Sequence, residues 1–199
     1  MDLIIIRHGE SEADILKVHE GRADFNLTEK GHKQAELMAN WVSNYIELDK
    51  IIASPLKRAA QTAEKLATAT NLPIQFRDEL MEWQNGLMAG MSFEEANIKY
   101  PEPTIKYPHT AVYGQESNVA FRARAELILS EIIHEEHPGA KIAIVSHGNM
   151  ITRLFQSFMG VPIDSDVQLF TGDTGIHHLK IGWNKKIAFL NYTGHLDKM

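Results

Sequence analysis

The 199-residue chain contains no cysteine. That excludes disulfides, thiolate metal centres and a cysteine nucleophile, so reactive chemistry falls to histidine, hydroxyl and carboxyl groups. Long apolar runs are missing too: none approaches the roughly 20 residues a membrane-spanning helix needs. The first residues lack the basic, apolar and small-residue order of a secretory leader, so neither a span nor a leader is expected. A cysteine-free chain suits a reducing cytoplasm, the expected location. Positive charge is in deficit, with 20 Lys and Arg against 26 Asp and Glu and a net charge of -6. That argues against nucleic acid or an anionic membrane as partner, and leaves any anionic ligand to a local cationic pocket. Repeats, low-complexity tracts and linkers are absent, and the length suits one domain spanning residues 1–199.

What is present is an alternation of strand-like and helix-like segments. Leu3, Ile4, Ile5 and Ile6 form an apolar strand that runs directly into Arg7 and His8. Residues 28–46 have helical periodicity, with Thr28 as cap and Gly31 in the first turn. "KIIAS" (50–54) reads as a short strand, and the Ala-rich 55–70, opening at Pro55, as a helix. "PIQF" (73–76) reads as a strand and 117–136 as a helix stopped by Pro138-Gly139. "KIAIVSH" (141–147) repeats the opening pattern of an apolar strand ending in polar residues. A helix comes next over 149–160, and two segments flanking Trp183-Asn184 read as a terminal hairpin. Residues 83–115, with Pro101, Pro103 and Pro108, read as irregular. Trp41, Leu37, Met38 and Tyr45 share one helical face and are expected in the core.

Such alternation predicts a three-layer α/β/α sandwich: a mostly parallel sheet, helices on both faces, and hairpin-like strands at the C-terminus. Ligands of such sheets bind beyond the carboxyl ends of the strands. His8 and His147 both sit just past such an end. A lone histidine is usually an interior residue satisfied by hydrogen bonds. Arg7 beside His8 weakens that reading, because a guanidinium at a buried strand tip needs an anion. A helix starting near Asn149 offers backbone N–H groups to an anion, and Arg58 starts another helix. Two imidazoles and two guanidinium forks match the oxygens of a phosphoryl group. A metal centre on His8 and His147 is the rival, and the two arginines would repel the ion. His134 and His137 read as a solvated face. His177 and His178 point to opposite sides of a strand, which argues against a joint metal site.

"RHGES", "LTEKG", "SPLKRAAQTAE", "LMEWQNGLMAG" and "VSHGN" occur in the order found in the histidine phosphatase superfamily, the phosphoglycerate-mutase-like group. The chain resembles that family from about residue 3 to residue 195. The resemblance implies that His8 is the nucleophile and forms a phosphohistidine. The attacking nitrogen must then be unprotonated, with the other ring N–H donating to a fixed acceptor such as a nearby backbone carbonyl. It also implies that Arg7, Arg58 and His147 form the phosphate pocket, with His147 in the catalytic set. Glu82 aligns with the acid that protonates the leaving oxygen and later helps activate water. Asn26 is a further candidate phosphate contact, and a turn-forming asparagine is the alternative.

Within the family the choice is between a phosphatase and a mutase. The segment after "LMEWQNG" is short and lacks an "ERHYG"-like sequence, and "SPLKRA" looks phosphatase-like. A metal-independent phosphomonoesterase acting on a small phosphorylated metabolite is therefore expected, without a cofactor, as a monomer or homodimer. A cofactor-dependent mutase, shown by isomerisation outpacing hydrolysis, and a phosphate-ester or phosphoprotein binding module are the alternatives. Two positions depart from the family pattern. Asp14 stands where many relatives have a phosphate-contacting asparagine, and Glu20 stands before Gly21 where glutamine is common. They either bring negative charge to the pocket, favouring substrates with an amine or many hydroxyls, or Asp14 pairs with Arg22 or Lys17 away from substrate. His109, Tyr113 and Glu116 are further candidates for substrate recognition, together with Asn149.

Overall fold

Strand β1 (Asp2–Arg7) is the inner post on which the site is built. In the computed structural model, which describes residues 1–105, 107–197 and 199, it is followed by helices α1 (Glu12–Leu16) and α2 (Glu29–Tyr45). Then come β2 (Lys50–Ala53), α3 (Lys57–Thr70) and β3 (Ile74–Phe76). The second half holds α4 (Phe93–Lys99), α5 (Asn118–Glu135), β4 (Lys141–Ser146) and α6 (Gly148–Met159). Strands β5 (Ile176–Ile181) and β6 (Lys185–Tyr192) close the chain. The sheet order is β3-β2-β4-β1-β5-β6. The first four strands run parallel, while β5 pairs antiparallel with β1 and β6 antiparallel with β5. This is the expected mostly parallel sheet with a terminal hairpin added at the β1 side.

Both faces of β1 are covered, which is why its sequence is a continuous apolar run and not an alternation. Leu3 and Ile5 pack with Phe121, Ile128, Ile151 and Leu154, from α5 and α6. Ile4 and Ile6 pack on the other face with Met38 and Val42 of α2 and Ala59, Ala63 and Leu66 of α3. Each such side chain contributes about 1.5–3 kcal/mol by leaving water. That burial holds the strand tip rigid.

The loop after β1 crosses the first turn of α2 with no room to spare. A Cβ on Gly31 would lie 2.0 Å from the Glu10 carbonyl oxygen, and one on Gly9 would lie 2.5 Å from that of Gly31. Thr28 caps α2 as expected, accepting from the Gly31 N–H at 3.0 Å. Three readings of the sequence need correction. Residues 83–115 include a helix, α4, because Ser92 caps it by accepting from the Glu95 N–H at 3.2 Å. Tyr45 is 73% exposed rather than core, since α2 is by then leaving the sheet; Trp41 instead packs on Tyr192 of β6 at 4.6 Å. Helix α3 starts at Lys57, two residues beyond Pro55. Among the described residues no helix is long and apolar enough to cross a membrane.

Candidate active site

Parallel pairing of β1 with β4 sets Arg7 opposite Ser146, so the next residues along, His8 and His147, leave neighbouring strand tips. Their ring centroids are 5.1 Å apart, and the His8 N–H bonds the Ser146 carbonyl at 3.0 Å. His8 is 1% exposed. Its Nδ1 lies 2.8 Å from the Gly9 carbonyl oxygen, which accepts only, so the ring hydrogen is on Nδ1 and Nε2 keeps its lone pair. Arg58 donates to that Nε2 through Nε–H at 3.3 Å. Burial, with Arg58 and then Arg7 nearby, holds the His8 pKa well below the usual imidazole value, so the ring is neutral.

Arg58 is fully buried in the first turn of α3. Its terminal nitrogens donate to the Gly21 carbonyl at 2.7 Å and the Ala23 carbonyl at 3.0 Å. The same loop brings Glu20 Oε1 to 3.2 Å from Arg58 Nε. Arg7 donates to the Thr171 carbonyl at 2.9 Å and lies 3.6 Å from Asp173. Its Nε is buried without a hydrogen-bond partner among the described residues. His147 has Nε2 at 2.8 Å from Ser54 Oγ. Because Ser54 Oγ already accepts from the Leu56 N–H, its own proton is available to His147 Nε2. His147 Nδ1 is buried and likewise without a partner among the described residues. Burial first, then Arg58, His8 and Arg7, depress the His147 pKa well below its ordinary value.

Glu82 approaches from the loop after β3 and is nearly buried. One oxygen accepts the Trp83 N–H at 2.7 Å and the other the Asn149 N–H at 3.1 Å. This corrects one expectation. The Asn149 amide in the first turn of α6 is given to a carboxylate of the chain itself, not held open for a ligand. Arg124 donates to the carbonyls of Glu79 and Met81 at 2.7 Å and of Glu82 at 3.2 Å, and pairs with Glu116 at 2.7 Å. Glu116 therefore braces the Glu82 loop instead of meeting substrate.

A cavity of about 730 Å³ opens over these groups, lined by Arg7, His8, Asp14, Glu20, Gly21, Glu82 and Asn149 of the expected residues. Asp14 pairs with neither Arg22 nor Lys17; its carboxylate accepts from the Ser11 N–H at 2.8 Å and lies 3.1 Å from the Ser11 hydroxyl. Three expected residues stand elsewhere. Asn26 spends its amide on Glu12 and Gln61. His109 is exposed and stacked on Tyr107. Tyr113 donates to the Pro101 carbonyl at 3.0 Å. Both side chains are held by neighbours in their own loop and do not line the cavity. Sequence pattern alone did not single out His19, Trp83, Asn85, Phe93, Thr152 and residues 168–171, which also line it. His177 is buried and bonds Thr171 at 3.0 Å, whereas His178 faces the other way to Asp2 at 2.9 Å, as strand alternation required. Among the described residues no cluster of three or more His, Asp or Glu is arranged to hold a metal.

Fold and geometry together define an α/β protein with a cavity lined by His8 and Arg7 at the tips of its parallel strands. The model of the histidine phosphatase superfamily (branch 1) matches residues 3–191. The chain belongs to that superfamily and is a phosphatase. It is 34% identical over 165 residues to phosphoserine phosphatase 1 of Hydrogenobacter thermophilus, covering 81% of this chain and 77% of the relative. It is 28% identical over 170 residues to the adenosylcobalamin/alpha-ribazole phosphatase of Escherichia coli, covering 83% and 82%. The fold matches the solved alpha-ribazole phosphatase of Shigella flexneri with a TM-score of 0.87 at 24% identity, over 97% of each chain.

Proposed function

We propose that the chain hydrolyses small phosphorylated metabolites through a phosphohistidine on His8, without a metal ion. The observation that carries this is the His8 ring, neutral, with its hydrogen fixed on Nδ1 by Gly9 and its Nε2 lone pair beside Arg58. In the first step Nε2 attacks phosphorus and the P–O bond to the leaving group breaks. Glu82 supplies the proton that turns the departing alkoxide into an alcohol. In the second step water attacks the phosphohistidine, Glu82 takes back a proton, the P–N bond breaks and phosphate leaves. Arg7, Arg58 and Nδ1 of His147 face the charge that develops on the equatorial oxygens. Two guanidinium groups supply there the positive charge that a divalent ion supplies in metal-dependent enzymes. The relatives named for phosphoserine and for alpha-ribazole support a small metabolite as substrate.

A panel of small phosphomonoesters assayed with a chelator present tests the reading. Hydrolysis is expected to survive chelation, and His8→Ala is expected to lower kcat by about 10⁴-fold or more. Turnover that persists in His8→Ala, or that chelation abolishes, overturns it.

A further inference from the structure

Glu20 stands in the wrong place for an ordinary substrate contact. Its Oε2 lies 3.8 Å from His8 Nε2, the atom proposed to attack phosphorus, and its Oε1 lies 3.2 Å from Arg58 Nε. A phosphoryl group bonded to Nε2 needs that same space for its oxygens. Glu20 is largely buried, so the two negative groups cannot share the seat without a large electrostatic cost. The carboxylate is a stand-in for the oxyanion on Arg58.

The hydrogen-bond count indicates where a proton resides. The Ser11 hydroxyl oxygen is within bonding reach of Glu20 Oε1 and of Asp14 Oδ2. A hydroxyl has one hydrogen and serves one acceptor at a time. Both contacts are hydrogen bonds only if one carboxyl carries a proton. Asp14 already receives the Ser11 N–H, so the consistent chain runs from a protonated Glu20 to Ser11 Oγ, and from the Ser11 hydroxyl to Asp14. The charged and titratable groups facing Glu20 are Arg58 of α3, Arg7 and His8 at the β1 tip, and Asp14 of α1. Glu82 and the neighbouring His19, which line the same cavity, complete the surroundings. Burial, and secondarily Asp14, raise the Glu20 pKa above the usual carboxylate value, while Arg58, the Ser11 hydroxyl when it turns to donate to the ionised carboxylate, and Arg7 oppose them. That direction agrees with the hydrogen-bond chain.

We propose that Glu20 is a proton-controlled occupant of the phosphate seat: ionised, it holds Arg58 against the incoming phosphate ester; protonated, it yields the seat and donates to a phosphoryl oxygen. This rests on the reading of His8 and Arg58 as the phosphoryl site. The consequence is an enzyme whose substrate affinity weakens as pH rises through the Glu20 titration. The ionised carboxylate disfavours a dianion, so deprotonation raises KM more than it lowers kcat.

The test compares the wild type with Glu20→Gln, which keeps the shape and removes the titration. Hydrolysis of p-nitrophenyl phosphate and competitive inhibition by inorganic phosphate are followed from about pH 4 to about pH 8, a window that opens below the ordinary carboxylate value. Taking the variant-to-wild-type ratio at each pH cancels the ionisation of phosphate itself. The kcat/KM ratio is expected to climb about tenfold across that range, equivalent to one pKa unit of differential interaction, chiefly through KM. The inhibition constant for phosphate should improve in parallel. Glu20→Ala, which removes the same charge, should show the same climb, so a folding defect in either variant leaves the other to decide. Ratios that stay flat with pH, or that fall, overturn the proposal. If they stay flat while His8→Ala abolishes turnover, only the role of Glu20 fails. If His8→Ala retains turnover, the phosphoryl site itself is misplaced.

Discussion

Arg58 shows how much one buried side chain has to satisfy. Its guanidinium meets the carbonyls of Gly21 and Ala23, the carboxyl of Glu20 and the ring of His8, and none of its surface reaches solvent. A lysine carries the same charge on a single tip and cannot reproduce that fork. If Arg58 serves the phosphoryl group as proposed, Arg58→Lys is expected to lower kcat/KM by about 10²-fold, because one preorganised donor to the developing charge would be lost. It should also destabilise the fold by about 1–3 kcal/mol, since the buried carbonyls of Gly21 and Ala23 lose donors that a lysine tip cannot replace. Steady-state kinetics and urea denaturation measure the two effects separately. A variant that retains both activity and stability would contradict the geometry.

At the scale of elements, the contact between the β1–α1 loop and the first turn of α2 depends on two glycines. Alanine at position 31 would favour the helix by about 1 kcal/mol on propensity alone. Against that stands a Cβ 2.0 Å from the Glu10 carbonyl oxygen, a backbone atom that cannot swing aside. Overpacking of this kind costs about 1–3 kcal/mol or more, so sterics win and Gly31→Ala should lower the thermal midpoint. Because the displaced loop begins at His8 and Gly9, kcat should fall as well; a variant with unchanged midpoint and rate would refute the argument. The elements that were legible in the sequence are those whose signals are local and strong. The buried strands announced themselves by unbroken apolar runs, α2 by Thr28, and the strand-tip histidines by the abrupt switch to polar residues at the end of each run. The features that could not be read were set by long-range contacts. The diversion of the Asn149 amide to Glu82 needs the loop after β3 to fold back onto α6. His109 and Tyr113 looked like binding residues because of their types, yet Tyr107 and Pro101 hold them locally. The short α4 was hidden among prolines and glycines. Glu20 was legible as an oddity, and only the geometry placed it against His8.

For the whole molecule, acid stability depends on every buried imidazole, His8 and His147 included, and two of them lie away from the site. His177 and His195 have pKa values lowered by burial to about 4. His177 Nδ1 accepts the Asn191 N–H and its Nε2 faces the Thr171 hydroxyl, contacts that suit the neutral ring. The unfolded chain binds a proton at each near the ordinary value of 6.5. Between about pH 6.5 and about pH 4 it therefore holds more protons than the fold, and stability drops as pH falls through that window. The slope is about 1.4 kcal/mol per pH unit for each histidine that stays neutral in the fold. Urea midpoints measured across the window should decline, and His177→Gln should flatten the decline; a flat wild-type profile would contradict it.

The pairing of β1 also bears on how the molecule is made. Both neighbours of that strand, β4 and β5, come from the last third of the chain, Asp2 meeting Lys141 on one side and Lys180 on the other. During translation the Leu-Ile-Ile-Ile segment leaves the ribosome well before its partners and must wait, unpartnered and sticky, until residue 141 and beyond have emerged. Neither the sheet's centre nor the placing of His8 against His147 at its edge exists in a nascent fragment. A truncated product is thus exposed to aggregation before it acquires any capacity for catalysis.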